Sequence, residues 1–226
     1  MWKMCKKTVK KAVDCSEKLV NDYLEKIDKE NLISIIADKI KDFYNEHKKD
    51  TEPTEDSYQK SYHFLKEYGK NCTGMAQYII LAHAVYGWMP TVLDINFHEN
   101  IEKAVLELRD GDYKKIEELR TVAKFTNNSF VGASKFLHFI YPDKFAIWDS
   151  NILHVLKDFN LKVDGKTCFF SKGSANSMRS FLGYQLAMQK TLGMLKAEDD
   201  KIELRDIEKA LFYSVSKKQR QKAKDC

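Results

Sequence analysis

Apolar residues recur every three to four positions along most of the chain, and that spacing predicts helices throughout. Residues 15–28 place Leu19, Tyr23, Leu24 and Ile27 on one helical face. Asn31 stands where a cap belongs, before a second helix with Leu32, Ile35, Ile36, Ile40 and Phe43 on its inner side. A third helix, 57–68, is expected to stop at Gly69. The stretch "TGMAQYIILAHAVYG", opened by Thr73, is apolar on nearly every side and predicts a central, buried helix ending at Gly87. Amphipathic helices follow at 97–109 and 113–125, separated by "DGD" and ended by "TNNS" at 126–129. A short helix from about Ala133 to Ile140 precedes Pro142, and Asp149 caps the next one. Helices at 174–195 and 203–213 complete the pattern. "LKVDGKTCFF" is the one candidate hairpin, turning at Asp164-Gly165. No internal repeat is present. The expected class is all-α, with at most one minor β-hairpin.

Composition narrows this reading. The chain has 226 residues, 43% hydrophobic and 12% aromatic, enough for one domain with a sizeable core. The charged, Pro-containing segment 48–56 reads as a linker. Cys5, Cys15, Cys72, Cys168 and Cys226 are odd in number and widely spaced, so reduced thiols in a cytoplasmic protein are expected, with no metal and no cofactor. No apolar run is long enough for a membrane span. The charge of +5 is uneven: residues 1–11 hold five Lys, residues 214–226 carry +4, and the middle is left at −4. Basic ends on an acidic body suit a polyanion, although Lys-rich ends also serve as solvated tails.

The candidate chemistry lies in "FVGASKFLHFIYPDKFAIWDSN", residues 130–151. Gly132 permits close backbone approach. Free amides at the start of the following helix would form an anion site. The same positive helix end would disfavour the ammonium of Lys135, leaving a partly neutral amine that can act as a nucleophile. Asp149 lies at the mouth of the next helix, with Trp148 beside it as a flat apolar surface. If the link brings the two helix starts together, carboxylate and amine face one cleft. The plain alternative makes Lys135 a solvated residue and Asp149 an ordinary N-cap.

"G-A-S-K … P-D-K-F-A-I-W-D-S-N-I" resembles the helix-hairpin-helix superfamily of DNA glycosylases, and more narrowly its 8-oxoguanine-glycosylase-fold branch in bacteria. The resemblance covers about residues 125–155. It implies a phosphate-gripping hairpin, a catalytic Lys and a catalytic Asp, which fall on Gly132, Lys135 and Asp149. The turn stands here as "NNSFVGAS", and the four-Cys iron–sulfur loop of some members is absent. The implied activity is excision of an extruded modified base, either oxidised guanine or a hypermodified base of phage DNA, with strand cleavage in lyase-competent members. The implied partner is double-stranded DNA, bound by a monomer.

Further candidates surround this core. Asn127, Asn128, Ser134, Lys172 and Arg179 are expected to contact DNA, with Ser174 or Asn176 capping the long late helix. Trp88, Trp148, His138, Tyr184 and Gln185 are expected to line the base pocket. Ordinary core packing is the competing role for Trp88 and His138. His83 reads as structural. A non-catalytic helical module that binds nucleic acid or protein would also account for the charge pattern.

Overall fold

The computed structural model describes residues 21–22, 24–25, 31–51, 57–89, 91–96, 100–163, 167–168, 170 and 176–222. The basic segment 1–11, residues 52–56 of the expected linker, Lys172 and Ser174 lie outside them. The protein is all-α. Helices run over Leu32–His47 (α1), Ser57–Lys70 (α2), Met75–Trp88 (α3), Ile101–Glu107 (α4), Ile116–Phe125 (α5), Phe130–Ile140 (α6), Ser150–Asp158 (α7), Met178–Lys196 (α8) and Leu204–Lys222 (α9). The expected hairpin is present as two antiparallel two-residue strands, Lys162–Val163 (β1) and Thr167–Cys168 (β2).

One apolar core runs through the described residues, from Leu32 on α1 to Leu211 on α9. Helix α1 turns Leu32, Ile36, Ala37, Ile40 and Tyr44 inward against α8. Ile35, expected on that face, is exposed. Asn31 adopts a left-handed conformation and its side chain makes no cap. Segment 48–51 continues α1 as a 3-10 turn instead of leaving it as linker.

Packing explains one departure from the expected helix limits. Helix α2 runs through Gly69 instead of stopping there, and the glycine serves packing: a Cβ on it would collide with the Phe139 carbonyl of α6. Glycine at that position lets two backbones touch. Helix α3 is not wholly buried: Ile80 is 56% exposed, and Ala76, His83 and Gly87 share its outer side. The most enclosed helix is α6, which packs against α2, α3 and α5. Helix α9 extends nine residues beyond the expected end, so residues 214–222 are helix and not tail.

Helix α6 ends at Ile140, and residues 141–149 form a strap leading to α7. Phe145, Ala146, Ile147 and Trp148 are buried although they pair with no strand. Extended backbone in a core exposes amides and carbonyls that must find partners. Here side chains supply them.

Candidate active site

Helix α6 begins five residues before Lys135, because Ser129 caps it and accepts a hydrogen bond from the Gly132 amide. Lys135 therefore sits in the second turn and not at a free helix end. The expected anion site is also filled: Asn176 accepts from the Phe130 amide at 2.9 Å and donates to the Asn128 carbonyl at 3.1 Å. Gly132 is buried, and a Cβ on it would strike the Tyr86 hydroxyl, so its close approach is to α3 and the Thr126 carbonyl, not to a phosphate. Asn127 bridges the Val92 carbonyl and the Asp94 amide. Arg179 is exposed on the first turn of α8, which Ser177 caps.

The strap carries Asp149 to the start of α7. There Oδ1 accepts from the amides of Asn151 at 2.9 Å and Ile152 at 3.1 Å. This cap fixes one oxygen and leaves the other turned to α6. Lys135 Nζ lies 3.9 Å from Asp149 Oδ2, with 12% and 13% of the two side chains exposed. The ammonium also sits 5.9 Å above the ring of half-buried Trp88. Burial pushes the Lys135 amine below its ordinary range, and Arg205 adds to this, while Asp149 and Glu208 oppose it. The cause is desolvation and not the helix dipole that the sequence suggested.

The remaining pocket candidates turn out to hold the strap. Gln185 grips the Ala146 peptide from both sides, accepting from its N–H at 2.9 Å and donating to its carbonyl at 2.7 Å. Tyr184 donates to the Ile147 carbonyl at 2.9 Å. Ser134 accepts from the Trp148 amide at 3.0 Å, one residue away from the Lys135–Asp149 contact on both chain segments. His138 donates through Nδ1 to the Phe145 carbonyl at 2.7 Å and accepts through Nε2 from Tyr62 at 2.7 Å. Burial holds its imidazole neutral, down from 6.5 to about 3. Trp148 packs 5.0 Å from Tyr184. His138, Trp148, Tyr184 and Gln185 are wholly buried, so none of them presents a surface to an extruded base.

Two residues that no sequence motif singled out add to the strap's anchorage. Glu208 on α9 accepts from the Ile147 amide through Oε1, and its Oε2 accepts from Arg205 at 2.9 Å. Glu208 is sealed from solvent, whereas Arg205 keeps a little exposed surface and lies 4.8 Å over the Tyr62 ring. Burial pushes the Glu208 carboxyl up from 4.5 to about 7 against the pull of Arg205. The signal was legible: Glu208 shares the inner face of α9 with Leu204, Ile207 and Leu211. An acid on an apolar stripe needs a partner.

No group of three or more His, Cys, Asp or Glu side chains among the described residues can hold a metal. No helix among them is long and apolar enough to cross a membrane. Compared with protein-family models, with curated proteins and with solved structures, the chain matches none.

Proposed function

We propose that the chain is a DNA N-glycosylase that draws a modified nucleotide out of the duplex and excises its base. Lys135 is the nucleophile and Asp149 its partner. The observation that carries this reading is the 3.9 Å approach of a destabilised amine to a carboxylate oxygen, both at the edge of solvent. An ammonium cannot attack; a buried lysine that gives up its proton can.

The neutral amine adds to C1′ of the sugar as the C1′–N bond breaks, and the bonding pair leaves with the base, which takes a proton. Asp149 Oδ2 opposes the positive charge that grows on the sugar and receives the proton released by the amine. The sugar ring then opens to an imine between Lys135 and C1′, from which β-elimination at C3′ breaks the strand. Because Oδ1 is held by two helix amides, Oδ2 needs no reorganisation when the charge appears. A modified base is the substrate class, with oxidised guanine and hypermodified bases of phage DNA as its two chemistries.

The test is borohydride trapping on duplexes that each carry one modified base, with an abasic duplex as the base-independent probe. Reduction converts the imine to a stable secondary amine at Lys135, which peptide mapping locates. The expected result is an adduct in the wild-type protein and none in Lys135→Met. A protein that binds the duplexes yet gives no adduct with any of them, the abasic one included, is a binding module, and the enzymatic reading falls.

A further inference from the structure

Enclosing the Glu208 carboxyl of the Arg205–Glu208 pair carries a desolvation penalty. Buried ion pairs are often replaced by apolar side chains with no loss of stability, because desolvation offsets the attraction. This one also leaves Arg205 Nε buried without a hydrogen-bond partner. Its geometry accounts for its presence. Glu208 reaches across from α9 to the Ile147 amide, two residues before Asp149. Arg205, one turn earlier on the same helix, fixes the other carboxylate oxygen. The amide anchors next along the strap are Gln185 on Ala146 and Ser134 on Trp148. Among the described residues whose side chains hold the strap's amides, Glu208 alone is ionisable.

We propose that Glu208, locked by Arg205, is a positioning residue for the Lys135–Asp149 pair: its carboxylate holds the Ile147 amide and so sets where the strap delivers Asp149. The inference rests on the reading of that pair as the reacting centre. A misplacement of about 1 Å at a reacting centre costs on the order of 100-fold in rate. The charged and titratable groups around Glu208 are few. Arg205 belongs to its own helix, and His138 on α6 has Nδ1 3.5 Å from Oε1. Tyr62 on α2, Tyr184 on α8, Lys135 on α6 and Asp149 at the start of α7 complete the set. His138 and the tyrosines stay neutral, so Arg205 is the charge that directly fixes the carboxylate.

The decisive variant is Glu208→Gln. Its amide has one acceptor for two donors, the Ile147 N–H and the Arg205 guanidinium, so either contact survives but not both. Adding Arg205→Met removes the competing donor and returns the acceptor to Ile147. Two readouts are needed on the full chain: hydrogen exchange of the 143–149 amides, and the rate of borohydride trapping on an abasic duplex. In folded Glu208→Gln the strap amides are expected to exchange faster and trapping to slow at least tenfold, with affinity for the duplex unchanged. In Arg205→Met/Glu208→Gln both are expected to return towards wild type. Unchanged trapping in folded Glu208→Gln overturns the proposal, and so does a double variant as slow as the single one. Failure of the wild type to trap, while strap exchange still follows Glu208, refutes the glycosylase reading and leaves the anchoring of Asp149 standing.

Discussion

Two pairs of opposite charges lie close together in this protein, and they are built in contrary ways. Arg205 and Glu208 meet at 2.9 Å on one helix, the carboxylate wholly enclosed and the guanidinium side chain 12% exposed. Lys135 and Asp149 stand 3.9 Å apart on two different segments, each with a little surface open to solvent. In the first pair Glu208 spends one oxygen on the strap's backbone and the other on Arg205. In the second, one carboxylate oxygen and the amine share a long contact, and the amine also faces the Trp88 ring. A tight pair whose carboxylate is committed through both oxygens fixes structure, whereas a loose one leaves an amine and a carboxylate oxygen able to react. The contrast is the physical ground for treating Lys135 and Asp149 as the chemical centre.

The largest effect should come from the loose pair and appear only in activity. Asp149→Asn keeps a good N-cap and removes the charge, so trapping and excision should fall by about 100-fold or more. Wild-type rates in that variant would reduce Asp149 to a cap. In the tight pair the large effect is on stability. Glu208→Ala leaves Arg205 buried and uncompensated, which costs about 3–5 kcal/mol in chemical denaturation.

A smaller effect separates the pairs by pH. Glu208 is pushed up from 4.5 to about 7 by burial, so its contribution to stability is fully present below 4.5 and is lost as pH rises through about 7. His138 is pushed down from 6.5 to about 3, so its contribution is present above 6.5 and is lost as pH falls. Between pH 4.5 and 6.5 the two slopes oppose each other, and wild-type stability should vary little. Glu208→Gln removes one slope. Stability should then rise with pH across the same window, by up to about 1.4 kcal/mol per unit for one proton. A flat profile in that variant would show that His138 does not control the acid limb. The smallest effect is the stability of Asp149→Asn, expected within a few tenths of a kcal/mol of wild type by thermal melting.

Helical periodicity made the class and most elements legible, because a 3.6-residue apolar repeat is a local signal. It misjudged which helix is central. Helix α3 has no charged residue and still exposes Ile80, while α6 contains Ser134, Lys135 and His138 and is the most enclosed. Apolarity alone did not decide burial; the presence of a partner for each polar group did. Lys135 and Asp149 were legible because they lie 14 residues apart in one motif. Glu208 and Arg205 come from about 60 residues downstream, and no local pattern ties them to Ile147. The start of α6 was misplaced because Ser129, inside a turn-like "TNNS", was read as part of the break and not as the cap.

The strap is held by its backbone, and this bears on how such a protein drifts over generations. Any amino acid but proline presents the same amide and carbonyl, so Phe145, Ala146 and Ile147 can be exchanged for other apolar residues of similar volume without losing a hydrogen bond. The side chains that grip them cannot. Ser134, His138, Gln185 and Glu208 are scattered over three helices and 75 residues. In a lineage that diverges, the contiguous stretch would blur first, and the scattered single polar positions would be the lasting signature of descent.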